Sequence, residues 1–424
     1  MRATLSSRKT AWVAAALVGT WALVLFVAWY PGMFGHDALV QLEQGRLWRF
    51  NNHHPVVLSA LAGLLPRLGL PVSTLLALQL LAVGGGLALC VRPGAWRSRD
   101  VAALAIALAL PPVWSQSTLI LKDVAFGASL LMASALWARG QNALTVAALI
   151  FAGTLRHNGI AVVAVWAVAV ALAVASSRAR VAAVVISILG ASVAAPRLAE
   201  WALNAREGGV GLTVVFQDLV DVYRTHPQTF SDSPFVDLTT AQELSDAYSK
   251  VSYDGIISAV PGGPRGVRQA ELLKRKERVL NEWKRLALLH PWAIVEGHFE
   301  RFLALLGVNV DRVQHPFYLP APTGIGADID TLAPGHVFLR SVQEATRDSL
   351  LFRGWFWVLG CACVTVLAVR QGPWRTSQAF WLGASGLANA FVYLAAAPVA
   401  DFRFLFATVV AALGGALSLF CAKA

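Results

Sequence analysis

The sequence predicts an all-α polytopic membrane protein with about ten transmembrane helices and one large outer loop. Of its 424 residues, 57% are hydrophobic and only 14% are charged, whereas a soluble protein is about half apolar and about a quarter charged. The apolar residues also fall in long uncharged runs, most of them close to the ~20 residues that a bilayer-crossing helix needs. Ten such runs occur, at 11–30, 71–91, 101–116, 124–138, 143–155, 160–176, 181–196, 351–369, 377–397 and 404–421.

The distribution of charge predicts the orientation of these spans. With the N-terminus inside, the segments on the cytoplasmic side carry twelve basic residues against one acid, Asp100. The remaining 23 basic and 23 acidic residues balance each other. By the positive-inside rule both termini are predicted to be cytoplasmic. The net charge of +11 therefore faces the inner leaflet, and it gives no support to a nucleic-acid partner.

The spans divide the chain into three parts. Residues 1–196 are predicted to form an N-terminal transmembrane core that carries a catalytic first outer loop. Residues 197–350 are too polar to span and too long for a bare loop, so they are predicted to form a large periplasmic loop with amphipathic helices at 268–289 and Trp292–Leu306. Residues 351–424 are predicted to form C-terminal transmembrane helices.

The first outer loop follows the first span directly and opens an amphipathic helix at Asp37. Asp37, Gln41 and Gln44 are spaced i, i+4 and i+7 and so share one polar face. The dipole of the helix favours a carboxylate in its first turn, which keeps Asp37 ionised and able to accept a proton. The alternative is that Asp37 only caps the helix. His53-His54-Pro55 follows, and then the apolar run 55–66, which is too short to span and is predicted to lie at the interface.

Two later outer turns place charges at membrane depth. Lys122-Asp123 precedes the fourth span, and the short fifth span ends in Arg156-His157-Asn158. Charged groups at such depth are costly and are functional candidates, and the short fifth span predicts a polar cavity sunk into the bilayer. Snorkelling of Lys122 and helix capping by Asp123 and Asn158 are the alternatives.

The large loop and the last outer turn add further candidates. In the large loop, Arg301 is a candidate for contact with an anionic substrate. Asp401 and Arg403 stand in the last outer turn, where a local ion pair is the alternative reading. In the predicted orientation all these groups reach the same side of the membrane.

One acid with several cations at membrane depth suits a lipid-linked phosphate. Arg and Lys side chains neutralise a phosphate leaving group, and a carboxylate accepts the proton of an attacking hydroxyl. Sugar nucleotides are absent outside the cell, so an activated sugar donor there has to be carried by a lipid. The residues predicted to bind the donor phosphate are Lys122, Arg156, Arg403 and His54, with secondary contacts from His53, Gln41, Asp123, His157, Asn158, Arg301 and Asp401.

The pattern Tyr30-Pro31-Gly32, Asp37, Gln41, His54-Pro55, Lys122-Asp123 and Arg156-His157-Asn158-Gly159 resembles the GT-C superfamily. These are membrane glycosyltransferases that use polyprenyl-phosphate-linked sugars, and they are related to protein mannosyltransferases and lipid A aminoarabinose transferases. The resemblance covers the first ~160 residues best. It implies juxtamembrane helices in the first outer loop, a bacterial inner-membrane location and a periplasmic active site. It also implies an inverting transfer of sugar from an undecaprenyl-phosphate donor to a glycan, lipid or protein hydroxyl, with Asp37 as the general base.

The chain departs from the family at His36-Asp37, where many members have an Asp-Glu pair, and this departure leaves open whether a divalent metal takes part. The cysteines, Cys90, Cys361, Cys363 and Cys421, fall in or beside spans and have no metal-ligand spacing. A transporter or flippase of a lipid-linked glycan remains an alternative, although the inner parts of the spans carry almost no charge and no inverted repeat is evident. A non-catalytic partner in glycan assembly is the third reading.

Overall fold

In a computed structural model, the structure describes residues 2–91, 96–252, 256–257, 267–310, 334–396 and 400–422. Within these ranges the chain is helical, and no strand is present. Two isolated parallel bridges join distant segments, Met33 to Leu119 and Asn51 to Arg206. The predicted all-α class is therefore confirmed.

Ten helices form the N-terminal part. They are α1 (Arg2–Trp29), α2 (His36–Leu47), α3 (Val56–Arg67), α4 (Ser73–Leu89), α5 (Ser98–Ala109), α6 (Pro111–Ser117), α7 (Lys122–Ala138), α8 (Asn142–Leu155), α9 (Ile160–Val174) and α10 (Arg178–Ala202). The third predicted span is split into α5 and α6 because the residue before a proline is driven out of the helical region. Leu110, which precedes Pro111-Pro112, is accordingly extended, with φ −64° and ψ 128°.

The described part of the large loop, 197–350, contains six α-helices. They are α11 (Val210–Thr225), α12 (Ala241–Ala247), α13 (Gln269–Lys274), α14 (Lys276–Leu289), α15 (Pro291–Leu306) and α16 (Pro334–Thr346). Residues 268–289 form two helices instead of the single predicted one, with the break at Arg275. The guanidinium of Arg275 donates to Pro234 O at 2.6 Å and to both carboxylate oxygens of Asp237, and these contacts bind the junction to the preceding loop. The large loop also has its own apolar core, formed by Phe216, Tyr223, Phe235, Leu272, Val279 and Leu286 among others.

Three helices close the chain: α17 (Gly354–Gln371), α18 (Gln378–Ala396) and α19 (Phe406–Ala422). α19 is almost completely buried, with Phe406, Val409 and Val410 packed in the main core. It packs against α7, α17 and α18. Residues 400–405, which lead into α19, are all buried as well.

Five segments in the described part of the chain are long and apolar enough to cross a membrane: Lys9–Trp29, His157–Val174, Arg178–Ala202, Gly354–Gln371 and Phe402–Phe420. The other five predicted spans coincide with α4, α5–α6, α7, α8 and α18. The protein is thus helical with several membrane-crossing candidates, and the number of ten crossings stays a prediction. The predicted boundary at residue 196 falls inside α10, which continues to Ala202.

Candidate functional site

Asp37 lies in the first turn of α2 and does not cap that helix. The N-cap residue is Gly35, and it makes no side-chain cap. The carboxylate of Asp37 instead contacts three cationic or potentially cationic groups: Oδ2 lies 3.0 Å from Lys122 Nζ and 3.2 Å from Arg403 Nη2, and Oδ1 lies 3.8 Å from His54 Nε2. We call these four residues (Asp37, His54, Lys122 and Arg403) the Asp37 cluster.

Backbone contacts fix Lys122 beside Asp37 although 85 residues separate them. Met33, in the turn before α2, donates its N–H to Thr118 O at 3.0 Å and accepts from Ile120 N at 3.0 Å. Gln79 of α4 holds the same stretch by donating Nε2 to the carbonyls of Ser117 and Leu119. The start of α7, which carries Lys122, is thereby tied to the start of α2.

His54 is positioned by the close packing of α2 on α3. A side chain at Gly45 or Gly63 would collide with the backbone of the other helix, so the two helices approach as only glycine permits. Gln41 adds a hydrogen bond from Nε2 to Pro55 O at 3.2 Å. Gln41 and Gln44 are both buried, so the predicted polar face of α2 is turned into the protein.

The protonation states within the Asp37 cluster follow from its geometry. Burial alone would raise the pKa of the Asp37 carboxyl, but the charges of Lys122 and Arg403 outweigh it and hold this pKa well below its usual value. Burial and the charge of Lys122 hold the pKa of His54 well below its usual value, so this imidazole is neutral at neutral pH. Lys122 Nζ lies 2.9 Å from His54 Nδ1. Because an ammonium group only donates, Nδ1 accepts and the ring proton sits on Nε2, the nitrogen that faces Asp37.

Two further buried ion pairs surround the cluster. Arg156 follows α8 in an extended conformation, pairs with Asp123 at 2.9 Å, and donates a hydrogen bond to the hydroxyl of Tyr393 on α18. Arg403 Nε lies 2.9 Å from Asp401 Oδ2, and Asp401 Oδ1 caps the turn by accepting from Arg403 N. With His54 neutral, the three carboxylates and three cations of this region balance in formal charge.

The Asp37 cluster, Arg156 and Tyr393 line a cavity of about 230 Å³. Its walls comprise Asp37, His53, His54, Pro55, Lys122, Arg156, His157, Asn158, Val210, Gly211, Thr213, Val214, Tyr393, Arg403 and Phe404. A larger cavity of about 640 Å³ lies around the α7–α8 and α17–α18 turns, and among the described residues that line it Arg139 is the only charged one. The smaller cavity is the candidate site, because its lining combines the carboxylate of Asp37 with the cations of Lys122, Arg156 and Arg403.

The large loop supplies one wall of this cavity through the first turn of α11. Asn52 accepts a hydrogen bond from Gly208 N on its Oδ1 at 2.7 Å, and its Nδ2 donates to Glu200 at 3.2 Å. His53 Nδ1 lies 3.2 Å from Gly208 O, and a side chain at Gly208 would collide with His53. The first loop thus clamps the glycine turn from which α11 starts.

The structure brings most of the predicted site residues together. Lining the cavity are Asp37, His53, His54, Lys122, Arg156, His157, Asn158 and Arg403, and Gln41, Asp123 and Asp401 support them from behind. Arg301 is the exception, since it is absent from this lining. It is fully buried in the large loop, where it pairs with Asp221 at 2.5 Å and Asp218 at 3.5 Å. The structure therefore places Arg301 outside the candidate site, where these acids on α11 bind its guanidinium.

Several cavity residues were missed by the sequence reasoning. Tyr393 is an apolar-span residue in the sequence, yet its hydroxyl accepts from Arg156 and its ring stacks on Phe404 at 5.2 Å. Thr213 and the glycine turn at 208–211 lie in a stretch without any charged motif. The glycine pair at 208–209 was the one available signal for a close backbone approach.

Among the described residues, no group of three or more His, Cys, Asp or Glu side chains is arranged to hold a metal ion. Comparison with protein-family models, with curated proteins and with solved structures found no match to this chain. The fold and the geometry of the cavity therefore carry the functional argument.

Proposed function

We propose that this protein is an inverting membrane glycosyltransferase. It takes a sugar from a polyprenyl-phosphate-linked donor, in bacteria undecaprenyl phosphate, and transfers it to a hydroxyl of a glycan, lipid or protein. In this proposal both termini are cytoplasmic, the protein lies in the inner membrane, and the cavity opens to the periplasm. The supporting observation is the buried carboxylate of Asp37 in direct contact with Lys122 and Arg403 at a cavity.

The reaction needs a base and an anion-binding group on opposite sides of the anomeric carbon. The acceptor oxygen attacks that carbon while its proton passes to a carboxylate oxygen of Asp37. The bond between the anomeric carbon and the phosphate oxygen breaks, and the phosphate keeps the bonding electron pair. Lys122, Arg403 and Arg156 then stabilise the developing negative charge, and no redox partner is required.

The contacts of Asp37 suggest how donor binding raises the proton affinity of this carboxylate. In the free protein Lys122 and Arg403 neutralise Asp37, and a carboxylate so strongly stabilised as an anion is a weak base. A donor phosphate that enters the cavity competes for the same two cations. Once they turn to the phosphate, Asp37 loses most of its stabilising charge inside a buried site, and its affinity for a proton rises.

An apolar groove beside the cavity supports a lipid-linked donor. It has a volume of about 340 Å³ and runs between α3, α4, α7 and α8, with Leu61, Leu78, Met132 and Phe151 in its lining. Ile120 also lines the groove and stands two residues before Lys122. An isoprenyl chain in this groove would end close to the cationic part of the cavity.

The experiment compares a deletion strain with three strains at matched expression: wild type, Asp37→Asn and Glu43→Gln. Glu43 lies on the same helix as Asp37, but it is exposed and pairs with Arg46, so it is the matched control. Mass analysis of the cell-surface glycans is expected to show a deficit of one sugar mass in Asp37→Asn, equal to that of a deletion strain, and no deficit in Glu43→Gln. Full glycans in Asp37→Asn would overturn the assignment of the base. Full glycans in the deletion strain would overturn the proposed function.

A further inference from the structure

The large loop carries a row of exposed apolar side chains across the corner between α14 and α15. Leu288 and Leu289 end α14, and Trp292, Val295 and Phe299 follow on α15. Their exposed fractions run from 52% for Val295 and Phe299 to 85% for Leu288. On α15 the spacing i, i+3, i+7 places the three side chains on one face of the helix. We call these five residues the α15 stripe.

The opposite face of α15 is fixed to the rest of the large loop, so the stripe points outward. Ala293 is buried in the core of the large loop, and a side chain at Gly297 would collide with Asp221 of α11. On the same face, His298 contacts Asp218 at 2.9 Å and Arg301 contacts Asp221. Rotation of α15 to bury the stripe would break all of these contacts.

At its C-terminal end, the stripe runs into the apolar surface of the helix bundle. One turn after Phe299, the ring of Phe302 meets the ring of Phe391 on α18, with centroids 5.9 Å apart. Phe391 and Leu394 are exposed on α18, which packs between α17 and α19. Since both of these helices include segments able to cross a membrane, the exposed apolar face of α18 stands at membrane depth. The α15 stripe continues that face.

Charged residues border the stripe on its water side. Glu296 is exposed and Glu300 is half-buried, and both lie to one side of the line through Trp292 and Phe299. Lys284 is exposed one turn before Leu288, where it suits the anionic headgroups of a bilayer. An exposed tryptophan between an apolar face and charged residues is typical of a membrane–water interface.

We propose that the α15 stripe lies in the leaflet of the bilayer on the side of the large loop, and that it seats this loop on the lipid. The proposal goes beyond the transfer reaction and does not rest on it. It has a consequence for the cavity, because α15 holds α11 through Arg301 and the first turn of α11 forms a cavity wall. Contact with lipid therefore sets the height of that wall above the membrane.

The test places a nitroxide label at single cysteines in the full-length protein, with Cys90, Cys361, Cys363 and Cys421 replaced. Trp292→Cys, Val295→Cys and Phe299→Cys sample the stripe, and Gln242→Cys, at an exposed position of α12, is the water reference. The protein is held in nanodiscs of phosphatidylethanolamine and phosphatidylglycerol. Collision with oxygen, which concentrates in lipid, is compared with collision with a water-soluble nickel chelate.

The three stripe labels are expected to collide with oxygen several-fold more than with the chelate. The label at Gln242→Cys is expected to collide more with the chelate than with oxygen. Chelate collision at the stripe equal to that at Gln242→Cys would place the stripe in water and overturn the proposal. Protection from both reagents would also overturn it, because the stripe would then be covered by protein, either another part of this chain or a second copy. Each label's spectrum in detergent, compared with the other labels, shows whether the variant has kept its fold.

Discussion

Two buried clusters of charged side chains both combine aspartate, arginine and histidine but have opposite charge balance. The Asp37 cluster sets one carboxylate against Lys122, Arg403 and His54. The second, which we call the Arg301 cluster, sets the carboxylates of Asp218 and Asp221 against Arg301, with His298 beside them. The first lines a cavity, whereas the second lies inside the core of the large loop.

The pKa values of the two acids reflect this difference. Both Asp37 and Asp221 are buried. The surrounding cations hold the pKa of Asp37 well below its usual value in spite of burial. For Asp221, burial prevails over the pull of Arg301, and its pKa is raised. A cation-rich cluster beside a cavity can accept an anionic ligand, while an acid-rich cluster in a packed core can only hold helices together.

The largest expected effect is the loss of activity in Asp37→Asn. The variant keeps the size of the side chain but cannot take a proton, and loss of a general base costs about 10²–10⁴-fold in rate. Sugar transfer from a short-chain isoprenyl-phosphate-linked hexose, measured with purified protein in vesicles, checks this. The melting temperature is expected to change little, because the cavity lets water solvate the released Lys122 and Arg403. Activity within a few-fold of wild type would mean that the Asp37 cluster, like the Arg301 cluster, has no catalytic role.

The opposite pattern is expected for Arg301→Met, which removes the central cation of the second cluster. Two buried carboxylates are left facing each other, and breaking a buried pair in this way costs about 3–5 kcal/mol. The rate per folded molecule should stay close to wild type. Burial already raises the pKa of Asp221 above its usual value, and Arg301 no longer opposes this rise in the variant. The loss of stability therefore grows as the pH rises and shrinks in mild acid. Melting followed by tryptophan fluorescence at several pH values measures this, and a destabilisation that is the same at every pH would contradict it.

The contrast between these clusters also shows what could be predicted from the sequence. Hydropathy and charge asymmetry predict that several turns lie on one side of the membrane. Charged groups at membrane depth are costly, and this criterion selected Asp37, Lys122, Arg156 and Arg403. Arg301 met the same criterion but lies outside the lining of the cavity. Its partners lie 80 and 83 residues earlier on α11, and periodicity gives no information on which helices of a large loop pack together.

Features that depend on neighbouring residues could be predicted from the sequence, whereas features that depend on tertiary packing could not. The break at Pro111-Pro112 and the short α8 before Arg156 follow from backbone sterics and helix length alone. Tyr393 and the first turn of α11 enter the cavity only through tertiary packing. The sequence around a tyrosine in an apolar span does not indicate which arginine the tyrosine will bind.

A smaller effect is expected on the pH profile of Lys122→Met. Lys122 is among the cations that lower the pKa of Asp37, and loss of one neighbouring charge shifts a carboxyl by about 1–3 pKa units. The pKa of Asp37 therefore rises, and the acidic limb of kcat/KM moves to higher pH. Lys122→Arg keeps the charge and serves as the control, with its limb near that of wild type. An unmoved limb in Lys122→Met would mean that a different group titrates.

The smallest expected effect concerns Asp401, which stands behind Arg403 in the turn before α19. Burial raises the pKa of Asp401 to about 6, even though Arg403 lowers it. Below that pH Asp401 takes up a proton and one negative charge leaves the surroundings of Arg403, whereas a phosphodiester donor stays ionised throughout. The Kd for a short-chain isoprenyl-phosphate-linked hexose should therefore fall several-fold as the pH drops through about 6. Asp401→Asn is expected to bind at every pH with the affinity that the wild type reaches in acid. If Asp401→Asn kept the pH dependence of the wild type, the titrating group would have to lie elsewhere, and the charge balance around Arg403 would not control donor binding.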